Sequence, residues 1–387
     1  MPAPVNANVL RSSLQTARKK TDAIWLGLKE RQLTLPLLPI VNPVLWEVGH
    51  VAWFQEYWVL RHQTRRPPQR ANGDALYDSS AVEHDLRWSL PLPNRQQTRD
   101  YMQRTLDLVL EVTATATDPY FLLLSLFHED MHAEAMTYTH QTVSLPVPAA
   151  PAERPMAMAS PPASDIRIPD GVFTVGSSPD DGFVFDNEKC AHPMLISAFD
   201  IADAPVTNRE FLEFVEADGY QDRRCWADEA WEWRAREGVR HPIYWRRASA
   251  GWDVRLFDRW QPLELDAPLV HVNAWEADSF CRWAGRRLPS EFEWEAAARS
   301  SGAGMVWGLP NVGLVWEWTA SRFLPYPGFS PDPYTDYSQP WFASPHRVLR
   351  GGSWATPARL MRPSFRNFYQ PHRRDIYAGF RTCSLLP

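Results

Sequence analysis

A stretch rich in proline and alanine, LPVPAAPAERPMAMASPPAS from Leu145 to Ser164, constrains this chain more than any other feature. It has no hydrophobic period and almost no charge, so it reads as a semi-rigid linker. One core cannot run through such a segment. The 387 residues are enough for a domain on each side of it. The expected division is a first domain over 1–144, a linker over 145–165 and a second domain over 166–387.

The two sides differ in texture. Before the linker, Leu10, Leu14, Ala17, Ile24 and Leu28 recur at helical spacing. Asn42 followed by Pro43 reads as a cap and first-turn proline, with Trp46, His50, Trp53, Phe54 and Tyr57 along one side of the helix that follows. A further helix is expected over 96–116. Asp118–Pro119 repeats the start signal for one that runs to about His140. Four such helices suggest a bundle. After the linker, Gly, Pro and Trp are dense, and the elements should be short. Helices are expected over 206–217 and 274–284, among loops and short strands. No internal repeat is visible. The expected class is therefore α+β.

Several functions are excluded early. Forty Lys and Arg stand against 46 Asp and Glu, a formal charge of −6, which argues against a phosphate-backbone binder and so against a nucleic-acid partner. The longest apolar run, Tyr120 to Phe127, is far short of the roughly 20 residues that span a bilayer, so no membrane partner is expected. The opening MPAPVNANVLRSS lacks a charged start followed by an apolar stretch, and no secretory signal is expected. Cys190, Cys225, Cys281 and Cys383 are widely spaced with no CxxC, which suits free thiols in a reducing cytoplasm. The 19 Trp residues exceed the needs of a core and suit pockets that grip cations or flat rings.

The sharpest chemical signal is His128–Glu129–Asp130–Met131–His132. On a helix, residues i and i+4 share a face, and two imidazoles there can hold one metal ion at about 2 Å. The same spacing also fits a polar stripe facing solvent. His50 alone reads as a satisfied core histidine. Together, one histidine from the second helix and two from the fourth would form a three-imidazole site inside a bundle. Glu134 lies about 200° around the helix from His132, which leaves it an outer partner or a surface residue. Glu129 and Asp130 also point away. Three neutral nitrogens without a carboxylate suit Zn²⁺ or Fe²⁺.

The segments NPVLWEVGHVAWFQEYWVL (Asn42 to Leu60) and HEDMHAE (His128 to Glu134) resemble the metal-binding parts of DinB-like domains. PVTNREFLEFV (Pro205 to Val215), WEADSFCRWAGRRLPSEFEWEAAAR (Trp275 to Arg299), VWEWTASRF (Val315 to Phe323), RVLRGGSWATP (Arg347 to Pro357) and RPSFRNFYQPHRRDIYAGFR (Arg362 to Arg381) resemble the formylglycine-generating-enzyme-like, or sulfatase-modifying-factor, domain. That domain is an irregular, C-type-lectin-like fold. The two in this order are similar to the iron-dependent, EgtB-like sulfoxide synthases of ergothioneine formation. The resemblance implies Fe(II) held by His50, His128 and His132, O2 as co-substrate, and bond formation between hercynine and a sulfur or selenium donor. It implies a C-terminal loop, Arg366–Asn367–Phe368, that contacts substrates in a cleft between the domains, and Tyr326 as a proton donor. Trp53, Phe368 and Tyr369 are candidate aromatic walls for the quaternary ammonium of hercynine. Arg87 and Arg373 are candidate forks for a carboxylate.

Three departures bear on the donor. Met131 stands where family members that use γ-glutamylcysteine tend to carry Gln. The stretch VEHDLRWSLPLP, Val82 to Pro93, holds a single arginine, Arg87. Tyr369 stands where some members carry an acidic residue. Fewer polar groups suit a neutral donor such as a selenosugar, as in selenoneine synthases, with the ergothioneine-type thiol reaction as the alternative. Copper-dependent formylglycine generation needs a thiol pair after RGGS, and Ser353 to Arg374 contains no cysteine. A DinB-like zinc thiol-transferase and a non-enzymatic lectin-like binding module are the other competing classes.

Overall fold

The computed structural model describes residues 6–149, 164–178, 181–300 and 308–385. The chain divides into two compact units, Met1–Pro151 and Ala152–Pro387. Within the linker expected at 145–165, residues 150–163 lie outside the described residues.

The N-terminal unit is helical. Its elements are α1 (Ala7–Trp25), α2 (Glu30–Leu33), α3 (Val44–Gln55), α4 (Gly73–Tyr77), α5 (Arg95–Val112) and α6 (Tyr120–Thr142). The long helices α1, α3, α5 and α6 pack on one another as a bundle. Leu10, Leu14 and Ala17 of α1 meet Leu106, Val109 and Leu110 of α5 and Leu122 and Leu126 of α6 in the core. The apolar spacing seen in the sequence is therefore the buried seam. Asn94 and Gln97 close a reciprocal capping box at the start of α5. Asp118 accepts from the Tyr120 amide at the entry to α6.

Asn42 does not cap α3. Pro43 takes the cap position without a side-chain bond, and the Asn42 amide donates to Glu47 Oε2 at 2.6 Å instead. Beyond Gln55 the helix continues as π-helical turns through Glu56–Gln63. A buried charge cluster ties the bundle together. Arg18 of α1 donates to Glu129 of α6 at 2.8 Å, to Gln55 of α3 at 2.9 Å and to the Met102 carbonyl of α5. Both ionic partners are buried, so the fork answers a carboxylate that would otherwise be stranded.

The C-terminal unit is built from short elements. The strands are β1 (Asp165–Ile168), β2 (Gly171–Val175), β3 (His192–Ile196), β4 (Phe199–Ala202), β5 (Trp245–Ala248), β6 (Gly251–Leu256), β7 (Arg259–Pro262), β8 (Arg286–Arg287), β9 (Trp316–Arg322), β10 (Arg347–Arg350), β11 (Asn367–Tyr369), β12 (Ala378–Gly379) and β13 (Cys383–Ser384). They form sheets ordered β1-β4-β13-β8, β11-β10-β9-β12, β2-β3 and β5-β6-β7. The helices are α7 (Asn208–Glu216), α8 (Asp228–Glu237), α9 (Ala274–Trp283) and α10 (Glu291–Arg299). The molecule is thus α+β.

Helices α7 and α9 fall where the sequence places them, each opened by a capping box, Thr207 with Glu210 and Asn273 with Glu276. Helices α8 and α10 were not expected. Ser290 and Glu293 are the same capping signal for α10. Trp294, Ala296, Ala297 and Ala298 of α10 pack on Ile168, Phe199 and Ile201 in a second core. The four cysteines are free thiols. Among the described residues, no helix is long and apolar enough to cross a membrane.

Candidate metal centre

The centre forms where α3 faces α6. His128 and His132 are one turn apart on α6, as their spacing requires, and His50 comes from the middle of α3. His128 Nε2 lies 3.2 Å from His50 Nε2 and 3.1 Å from His132 Nε2. Two ligands about 2 Å from a shared ion are separated by about 3 Å. Among the described residues, these three form the one group of His, Cys, Asp or Glu side chains with metal-ligand spacing.

The outer nitrogens decide the tautomers. His50 Nδ1 lies 2.7 Å from the Tyr77 carbonyl oxygen, which can only accept, so Nδ1 carries the proton and Nε2 the lone pair. His132 Nδ1 lies 2.5 Å from Glu47 Oε1. Burial acts to raise the Glu47 carboxyl, but the charge and hydrogen bond of His132 overcome it and hold the group below its ordinary range. An ionised Glu47 accepts from the His132 Nδ1–H, so that a neutral His132 keeps its lone pair on Nε2, turned inward. Two lone pairs then point at His128 Nε2. A proton there satisfies one of them, whereas a cation satisfies all three nitrogens.

Burial and neighbouring imidazoles favour the neutral forms of His50 and His128, the form that binds metal. Burial, then the nearby His132, pushes His50 down to about 3. Burial likewise holds His128 well below its usual value. Aromatic rings brace both. Trp46 stacks on His50 with ring centroids 5.0 Å apart, and Phe54 stacks on His128 at 3.6 Å. The donor set, three imidazoles with no carboxylate among them, fits Fe(II) or Zn(II).

Other expected site residues are placed as follows. Trp53 is buried beside His50, with ring centroids 5.8 Å apart, and its indole N–H donates to Asp74 at 2.7 Å. Arg87 is not a free fork for a carboxylate. It donates to Asn42 Oδ1 at 2.7 Å and to the Ser79 and Val82 carbonyls, and it lies 3.9 Å over the Trp46 ring. Arg87 thus supports Asn42, which holds Glu47, which orients His132. Glu129 points away from the imidazoles, to Arg18. Glu134 is buried, and the carboxylate on His132 is Glu47 rather than Glu134.

In the C-terminal unit, Asn367, Phe368 and Tyr369 form strand β11, paired with Leu349, Val348 and Arg347, rather than a free loop. Phe368 stacks on Phe323 at 4.0 Å. Arg373 is paired with Asp375 at 2.7 and 2.6 Å and lies 5.0 Å over Tyr369. Tyr326 is the residue expected as a proton donor. It is 4% exposed, accepts from Arg350 at 2.9 Å and donates to Glu291 at 3.2 Å. Burial pushes its hydroxyl up from its ordinary value. The hydroxyl is thereby engaged by two buried neighbours. Tyr326→Phe is expected to lower stability by about 1–3 kcal/mol in chemical denaturation while leaving turnover unchanged; a lost or diverted reaction would return Tyr326 to the chemistry.

The sequence reading missed Glu47 and Tyr77, the outer partners of two of the three histidines. Glu47 had a signal, since it lies three residues before His50 on the same helix. Tyr77 acts through its backbone carbonyl, which no residue type announces.

Residues 13–140 match the DinB superfamily, and residues 151–311 and 305–385 match the sulfatase-modifying factor enzyme 1-like domain. The chain is 31% identical to a hercynine oxygenase of Mycobacterium tuberculosis, over 96% of this chain and 97% of that one. It is 32% identical to a hercynine oxygenase of Mycolicibacterium thermoresistibile, over 89% and 87%. It is 23% identical to ergothioneine biosynthesis protein 1 of Schizosaccharomyces pombe, over 92% of this chain and 54% of that one. With two domain matches in the same order and this identity along nearly the whole length, the chain belongs to the hercynine oxygenase family, in which a DinB-type helical domain precedes a sulfatase-modifying-factor-like domain.

Proposed function

We propose that this protein is a non-haem Fe(II), O2-dependent enzyme that joins C2 of the hercynine imidazole to the selenium of a selenosugar. The observation that carries the metal chemistry is the convergence of three Nε2 atoms with two Nδ1 protons committed to outer acceptors. Hercynine as substrate follows from the relatives named hercynine oxygenase. When bound, iron supplies the redox change that O2 chemistry needs. The chain's own residues hold it: His50, His128 and His132 ligate, Glu47 and the Tyr77 carbonyl orient, and Trp46, Trp53 and Phe54 exclude water around the imidazoles.

Selenium over sulfur is supported by the poverty of charged contacts for a dianionic peptide donor. Met131 precedes the third ligand, and Arg87 is occupied by Asn42 and two carbonyls. The second reading is the ergothioneine-type reaction with γ-glutamylcysteine or cysteine, favoured by the relative named for ergothioneine biosynthesis.

The test loads the protein with Fe(II) without oxygen, then offers hercynine, O2 and either selenoglucose or a thiol donor. Oxygen uptake with a hercynine–selenosugar product, read by mass spectrometry, is expected. Turnover with thiol donors alone would replace the first reading by the second. Zinc-dependent activity without oxygen uptake would overturn both.

A further inference from the structure

Helix α4 is only five residues long, yet it receives three side-chain donors from one face of α3. Trp46 Nε1 donates to the Leu76 carbonyl, His50 Nδ1 to the Tyr77 carbonyl and Trp53 Nε1 to Asp74 Oδ1, each at 2.7 Å. Residues 46, 50 and 53 lie at i, i+4 and i+7, so they share one stripe of the helix. The metal ligand sits between two indoles that grip the same short element.

This approach is possible because residue 49 is glycine. A Cβ there would lie 2.3 Å from Cε1, 2.5 Å from Cζ and 2.7 Å from the hydroxyl oxygen of Tyr77. The Tyr77 ring therefore occupies the space that any other residue 49 would claim. Tyr77 is fully buried, and its hydroxyl has no hydrogen-bond partner among the described residues. A buried, unanswered hydroxyl contributes nothing favourable, so what Tyr77 supplies is its ring and its backbone carbonyl.

From this geometry we infer that Gly49 and Tyr77 form a steric lock that positions His50 for metal binding. The ring seated on Gly49 sets where the Tyr77 carbonyl stands. The carbonyl holds the Nδ1 proton, and the Nε2 lone pair is thereby aimed at His128 and His132. Gly49 and Tyr77 are positioning residues that touch neither metal nor substrate. The inference rests on the reading of the three histidines as a metal centre.

Cobalt(II) is the probe, because it reports affinity by titration and ligand geometry by its visible absorption, independently of turnover. Gly49→Ala and Tyr77→Ala are each expected to weaken Co(II) binding about 10–100-fold and to alter its visible spectrum. Tyr77→Phe should bind within about twofold of the parent, as expected for a hydroxyl without a partner. The double variant Gly49→Ala/Tyr77→Leu, which makes room for the new methyl, should recover most of the affinity lost by Gly49→Ala. Parent-like affinity and spectrum in a folded Gly49→Ala protein would overturn the lock. So would Tyr77→Phe binding as weakly as Tyr77→Ala. If the single alanine variants do not fold, the double variant decides: folding with affinity supports the lock, and folding without it overturns it. Failure of the parent to bind Co(II) at all would sink the metal-centre reading itself.

Discussion

Replacing His128 with alanine is expected to abolish turnover and to weaken iron binding by well over about 100-fold, since loss of even an outer partner of a ligand costs about 10–100-fold. His128 is the middle of the three imidazoles, with its Nε2 3.2 Å from one neighbour and 3.1 Å from the other. Without it, His50 and His132 remain on different helices with no nitrogen between them. The fold should survive, because the bundle core of Leu10, Leu14, Val109 and Leu122 does not include the histidine. Metal analysis after anaerobic Fe(II) loading, beside thermal unfolding of the same sample, checks this. Stoichiometric iron and parent-like oxygen uptake in His128→Ala would overturn the site. A lectin-like binding module predicts that ligand affinity is indifferent to the change.

Glu291→Ala is expected to destabilise the C-terminal unit by about 3–5 kcal/mol, the scale for removing one partner of a buried ionic group. Glu291 accepts from Arg366 at 2.8 and 3.0 Å and from Arg350 at 2.8 Å. All three side chains are buried. Burial acts to raise the carboxyl, and the charges of Arg366 and Arg350 overcome it and hold it below its usual range. Its stabilising contribution is thus present at neutral pH and is lost as pH falls through the lowered folded-state value. Arg350 keeps Glu295 at 3.1 Å, whereas Arg366 loses its carboxylate. A half-exposed pair such as Arg209–Asp266 gives the contrast, with an expected loss under about 1 kcal/mol. Urea denaturation of the two alanine variants, Glu291→Ala and Asp266→Ala, separates them. Equal, small losses would mean that the buried pair is no stronger than an exposed one.

Much was legible in the sequence because it is written in short spacings. Helix α6 places His128 and His132 on one face through a four-residue step, and the helices expected over 206–217 and 274–284 are α7 and α9. The partners of Arg87 and Tyr326 were not legible for one reason: an arginine or tyrosine looks the same in sequence whether its polar atoms face a substrate or a buried neighbour.

By itself the sequence determined the helical seam of the first unit and the short-element texture of the second, and it singled out three imidazoles as candidates to meet. Only the tertiary structure decided what holds those imidazoles in place. Glu47 reaches His132 across 85 positions, the Tyr77 carbonyl reaches His50 across 27, and Arg18 reaches Glu129 across 111. Local periodicity is set by the backbone's own geometry, whereas these pairings arise where separate helices pack closely enough to strip water from polar groups, which must then find one another.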